Sequence, residues 1–217
     1  MRKSIVRASC IRAALAAVCG MLLAGCLVPE RKPVEKRYYN LEIAREDRAQ
    51  NAAADRALKV RRLAISPRYA GRELVYKTGE TAFESDFYNE FFIPPAEMLT
   101  QDLRAWLDRS GLFAHVLDPA SLAQAGLVLE GAVNALYGDF SRRPPVAVAK
   151  LQFFLIDERS AEGAILFSRD YAREVALDAG SPRDLVLGLR AAVRDVFASL
   201  EADLREALAQ SRAAPAQ

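Results

Sequence analysis

The sequence predicts an α/β domain of the α+β sandwich kind, a mixed, largely antiparallel sheet with two main helices packed on it. Three observations predict it. Residues 146–156 alternate, with Ala147, Ala149, Leu151, Phe153 and Leu155 on one apolar face and Lys150 and Gln152 on the other, the pattern of a strand covered on one side and partly wet on the other. Further on, Leu185, Leu189, Val193, Val196, Leu200 and Leu204 recur at steps of three and four, one helical stripe facing a sheet. The chain of 217 residues is 52% hydrophobic and 27% charged, enough apolar material for one compact domain.

The elements follow in order. Residues 38–43 and 60–66 read as strands, and residues 74–87 as a hairpin. Between the first two, residues 44–57 are rich in Ala, Arg and Asp and read as a loop or a short exposed helix. Pro94-Pro95 opens a helix, with proline at a position where its missing N–H costs nothing. Met98, Leu99, Leu103, Trp106 and Leu107 form its apolar face, and Ser110-Gly111 ends it with a residue able to take positive φ. Strands at 114–117, 127–137, 146–156 and 164–175 follow, the last two joined by a turn containing Ser160 and Gly163. Ser181 is the expected N-cap of the second helix, with Pro182 at its first position and Asp184 near the positive end of its dipole. The other face of that helix, with Arg190, Arg194, Asp203 and Arg205, reads as solvated surface, and residues 211–217 as a frayed, disordered tail.

Charge and reactive groups narrow the function. The formal charge of +2 comes from 30 bases and 28 acids, but the first 25 residues hold four of the bases (Arg2, Lys3, Arg7, Arg12) and no acid. Without them 26 bases face 28 acids, a net −2, which argues against a nucleic-acid binder. One histidine, His115, and three cysteines (Cys10, Cys19, Cys26) leave too few ligands for a zinc site of His and Cys, a Cys/His pair or a disulfide framework. His115 therefore reads as a structural histidine. The pair Asp157 and Glu158 falls at a hairpin end with no cleft for acid–base work, and the chain has no glycine-rich phosphate loop and no Gly-x-Ser-x-Gly elbow. The expectation is a protein that is not an enzyme and carries no cofactor and no metal.

The N-terminus is an address and an anchor. A basic start runs into an uncharged stretch, 13–25, too short to span a hydrocarbon core of ~30 Å, so residues 1–25 read as a signal peptide. It ends in Leu23-Ala24-Gly25-Cys26, which resembles the lipobox of bacterial lipoproteins. In that family the cysteine sulfur receives a diacylglycerol, the bond before it is cut and the new amino group is acylated. Cys26 would then begin a mature chain of 192 residues without a free thiol, held by three acyl chains at ~0.8 kcal/mol per buried methylene. Leu27 stands where an aspartate resembles the inner-membrane retention signal of enteric bacteria, so the expected address is the periplasmic face of the outer membrane. Residues 27–37, with two prolines among charged residues, form a tether of up to about 36 Å. One domain, 38–210, follows.

A further set of residues resembles the ABC-type transport auxiliary lipoproteins, the PqiC-like components of mammalian-cell-entry (MCE) lipid-transport systems. They are the lipobox, Tyr38-Tyr39-Asn40-Leu41, Leu63-Ala64-Ile65-Ser66-Pro67, Leu74-Val75-Tyr76-Lys77, Phe91-Phe92-Ile93-Pro94-Pro95 and the run from Trp106 to Phe113, with Val116 after it. Members often carry a tryptophan just before the Pro-Pro pair, where this chain has Phe92 or Ile93. The resemblance implies a non-catalytic subunit at the outer-membrane end of a system in which an inner-membrane permease and a cytosolic ATPase are coupled to a periplasmic MCE-domain protein, with lipids as cargo. A ring-shaped partner fits a homo-oligomer. The rival reading is an envelope-assembly or cell-wall regulatory lipoprotein that activates a synthase or chaperones a β-barrel.

Candidate contact residues lie in two places. Phe83, Phe87, Tyr88, Phe91 and Phe92 are five aromatics among Glu84, Asp86 and Glu90, either an exposed patch that docks a partner or core beneath the first helix. The core reading is the stronger for Phe83 and Phe87, and Tyr88, Phe91, Phe92 and Pro94 are the partner-contact candidates. Arg142-Arg143-Pro144-Pro145 is a basic loop suited to anionic lipid or an acidic partner, or simply to water.

Overall fold

A computed structural model describes residues 35–47, 55–160 and 163–213. Nine strands form one mixed sheet: β1 (Arg37–Tyr39), β2 (Ala57–Val60), β3 (Ala64–Ile65), β4 (Glu73–Lys77), β5 (Phe83–Phe91), β6 (His115–Leu117), β7 (Leu127–Asp139), β8 (Val146–Asp157) and β9 (Ala164–Ala176). Among the described residues the α-helices are α1 (Pro95–Arg109) and α2 (Pro182–Ala213), and α2 runs beyond the expected start of the tail at Ser211. Among the described residues no helix is long and apolar enough to cross a membrane.

The frame is β7, which pairs antiparallel along its whole length with β8, as β8 does with β9. Its other side is shared by three short parallel strands in succession, β2 at Leu127–Leu129, β3 at Ala132–Val133 and β4 at Gly138–Asp139. The predicted strand 60–66 is therefore two strands. The N–H of Leu63 bonds to the side-chain oxygen of Thr100 on α1 (3.0 Å), not to β7, and this diversion divides them. β5 pairs antiparallel with β4, and β1 runs parallel to β5. β9 is bonded to β8 alone.

The predicted faces hold. Ala147, Ala149, Leu151, Phe153 and Leu155 are buried, as are all six leucines and valines of the α2 stripe. Phe153 stands directly opposite Gly131 on β7, and its ring fills the place of a side chain there: an added Cβ would lie 2.7 Å from it. α2 packs tightly on the sheet at Gly188, where a Cβ would meet that of Ala147 at 2.8 Å. The helix ends follow their sequence. Ser181 Oγ accepts the Asp184 N–H (3.2 Å), while the Asp184 carboxylate accepts the Ser181 N–H (3.1 Å). The Ser181 hydroxyl, which donates to that carboxylate (2.8 Å), and the Ser181 N–H hold the Asp184 carboxyl below its usual range. Gly111, after α1, has φ 69°.

The predicted strand 38–43 ends at Tyr39, and residues 40–47 form an irregular strap, with Glu42 at φ 48°, held by side chains of both helices. Leu41 and Ile43 are buried. The Leu41 N–H points at Met98 Sδ (3.3 Å) and the Ile43 N–H donates to Asp102 (3.0 Å), both on α1, while Arg190 of α2 donates to the carbonyls of Asn40 and Leu41. Arg190 is thus a clamp, not solvated surface, and Asp203 is likewise engaged, accepting from Tyr171 (2.6 Å) and pairing with Arg169 (2.7 Å).

Burial pushes the Asp102 carboxyl above its usual range; the Ile43 N–H and Arg190 oppose the shift, and Glu42 adds to it. A raised folded-state pKa means a contribution to stability that is complete below the unfolded value of ~3.9 and is lost as pH rises through the folded one. At neutral pH the ionised Asp102 is therefore a burden. Asp102→Asn is expected to melt above wild type at pH 7, with the gap closing as thermal melts are taken below about pH 4.

Candidate docking surface

The parity of β1 and β5 sorts the aromatics. Tyr39 pairs with Phe91 on the core side, and Tyr38 pairs with Glu90 on the outer side. Phe91 is accordingly buried at 3% exposure, which corrects its expected place among the contact residues, while Phe92 is 64% exposed. Pro94 caps α1 and is half-buried. Tyr88 is 45% exposed. Phe83 and Phe87, read more strongly as core, lie outside it at 45% and 65%.

A bulge explains Phe87. Glu73 pairs with Glu90 but its neighbour Leu74 pairs with Asp86, so residues 87–89 are looped out of the β4–β5 ladder. Asp86 holds the loop. Its carboxylate accepts the N–H groups of Tyr88 (2.9 Å) and Asn89 (3.0 Å), the Asn89 side-chain amide (2.9 Å) and the Tyr76 hydroxyl (2.8 Å). Burial alone would raise the Asp86 carboxyl, but these donors outweigh it and hold it below the usual range.

The buried carboxylate of Glu90 organises the rest. One oxygen pairs with Lys36 and the other with Arg72 (2.9 Å). Each cation then lies against an exposed ring, Lys36 Nζ at 4.1 Å from the centre of Phe87 and the Arg72 guanidinium at 5.7 Å from that of Tyr38. Phe92 meets Tyr38 edge-on at 6.4 Å, and Phe87 meets Tyr88 at 5.2 Å. Tyr38, itself 51% exposed, Phe87, Tyr88 and Phe92 thus form one connected platform. Lys36, Arg72, Glu90 and Tyr38 were not among the contact residues read from the sequence. The signal for Glu90 was present, since Tyr88, Glu90 and Phe92 alternate with Asn89 and Phe91; Arg72 comes from the bend before β4 and leaves no local trace.

The basic loop lies elsewhere. Arg142 and Arg143 are exposed in the β7–β8 connection, where Arg142 pairs with Glu174 (2.6 Å). Two open grooves are also present. One, of about 610 Å³, is lined by Arg68, Tyr69, Glu73, Val75 and Phe83, with Tyr69 stacked on Tyr137 behind it. The other, of about 560 Å³, lies between the strap and α2, and its lining includes Arg45, Trp106, Arg194, Glu201 and Arg205.

His115 is exposed on the short strand β6 rather than built into the core. Among the described residues no group of three or more His, Cys, Asp or Glu is placed to hold a metal ion. Cys26 and the lipobox residues Leu23, Ala24 and Gly25 lie outside the described residues.

No family model matches the chain, and no curated protein does. Among solved structures, a DUF330-family protein from Xanthomonas campestris is similar at TM-score 0.64 and 16% identity, over 73% of this chain and 89% of that one. An uncharacterised protein is similar at TM-score 0.64 and 19% identity, over 78% and 99%. A lipoprotein from Neisseria meningitidis is matched at TM-score 0.30 and 15% identity, over 67% and 99%. What the first two share with this chain is the fold.

Proposed function

We propose that this chain is a non-catalytic lipoprotein of the cell envelope, lipidated at Cys26, held at the periplasmic face of the outer membrane and serving as the auxiliary subunit of an MCE-type ABC transporter that moves lipids between inner and outer membranes. The reading is carried by the coincidence, in one chain, of a lipobox ending at Cys26 and a domain fold shared with a DUF330 protein. Register adds support. Lys77 at the end of β4 adjoins Asp139, next to the Arg142–Arg143 loop, whereas Glu73 at its start adjoins Glu90 of the platform, four residues and about 13 Å away. The basic loop and the tether root thus lie toward different ends of the strand, and the loop is the surface presented to an acidic patch of the MCE-domain protein.

Two measurements test this. Cys26→Ser is expected to move the protein from the membrane pellet to the soluble periplasmic fraction, because removing the acyl chains removes the attachment. Affinity capture from mildly solubilised membranes is expected to recover an MCE-domain protein with wild type, and much less with Arg142→Ser/Arg143→Ser. Capture of a peptidoglycan synthase in its place would count for the rival assignment.

A further inference from the structure

We propose that the aromatic platform faces the bilayer: Tyr38, Phe87, Tyr88 and Phe92 seat in the interfacial layer of the membrane that holds the Cys26 lipid, with Lys36 and Arg72 directed at its lipid phosphates. This rests on the lipidation of Cys26.

Position is the first argument. The described domain begins at the platform, since Lys36 both precedes β1 and lies on the Phe87 ring. Ten peptide steps separate Lys36 from Cys26. They reach about 33–36 Å fully extended. The surface around Lys36 therefore meets the membrane more often than any other part of the domain, and a partner protein placed there would have to fit inside that gap.

Chemistry is the second. Phenylalanine and tyrosine rings beside lysine and arginine are the side chains that settle at a membrane–water boundary, with the rings at headgroup depth and the cations drawn to phosphate. Two acids sit within the platform. Glu90 is buried between its two cations, and Asp86 stays ionised under four neutral donors, so the charges balance and the rings supply the main attraction to the boundary. The same ion pairs fix both cations, so the platform is formed before it meets lipid and no loop must be ordered.

The test uses the full lipidated chain in vesicles of equal parts phosphatidylethanolamine and phosphatidylglycerol, with bromine on the acyl chains as a short-range quencher. The one native tryptophan, Trp106, is buried and supplies the baseline. Phe87→Trp and Phe92→Trp serve as reporters, and Leu122→Trp, at a fully exposed position, as the control. Both reporters are expected to be quenched several-fold more than the control. If wild type floats with the vesicles but the reporters are quenched no more than the control, the proposal is overturned and the lipidation reading stands. If wild type does not float, lipidation fails and takes the proposal with it. Unquenched reporters combined with loss of the MCE-domain protein on Phe92→Ser would overturn the proposal by assigning the platform to a protein.

Discussion

Phe153→Ala is expected to destabilise the domain by about 3–5 kcal/mol, the range for truncating a fully buried aromatic. The position allows little recovery. The ring is inaccessible to solvent, packs edge-on against Tyr171 at 6.1 Å and covers Gly131 on the neighbouring strand. With glycine opposite, the cross-ladder residue has no side chain to lean into the space, and Leu63, which meets the same face of that glycine as the ring does, would have to move to fill it. Chemical denaturation should show a lower midpoint with an unchanged slope, and melts should fall by roughly 6–20 °C for a domain of this size.

The second large effect lies at Glu201 on α2. Its buried carboxylate accepts the Trp106 indole N–H (2.9 Å), two guanidinium N–H groups of Arg45 (3.0 and 3.4 Å) and one of Arg205 (2.9 Å). Through these bonds it fastens α1 and the strap to α2. Glu201→Ala leaves the indole N–H buried without an acceptor and Arg45 without its counterion, at a cost of ~3 kcal/mol, the lower end for breaking a buried pair because Arg45 is partly exposed. Arg205 adds little, being more than half exposed and one helical turn away. Glu201→Gln keeps an acceptor for the indole and should fall between alanine and wild type in the same denaturation series.

What was legible in the sequence was whatever repeats locally. The β8 face and the α2 stripe could be read because their periods of two and near 3.6 are local properties, and the helix starts and stops carried their own capping residues. What escaped was set by distant partners. The break at Leu63 comes from Thr100 on α1, the strap is held by Met98, Asp102 and Arg190, and the bulge that exposes Phe87 is visible only against β4. Composition favoured burying Phe83 and Phe87, yet hydrophobic residues are not confined to interiors, and a large apolar cluster left outside is the more informative observation. The separation of Phe91 from Phe92 was within reach, because strand alternation alone puts adjacent residues on opposite sides. The candidate site was thus half legible: its rings were in view, and the buried acid and two cations that order them were not.

The free side of β9 bears on how copies of this protein behave when crowded on one membrane. Among the described residues no strand pairs with that side, and its outward-facing N–H and C=O groups would ordinarily invite a second copy to add its own outermost strand. Arg169, Tyr171 and Arg173 reach toward α2, so Asp170 and Glu174 project the other way. A symmetric antiparallel dimer must oppose side chains of the same face. Every such alignment centred from Arg169 to Glu174 sets like against like: Arg169 or Arg173 against itself or the other, Asp170 or Glu174 against itself or the other. Symmetric pairing of two copies through this stretch of β9 is thereby disfavoured.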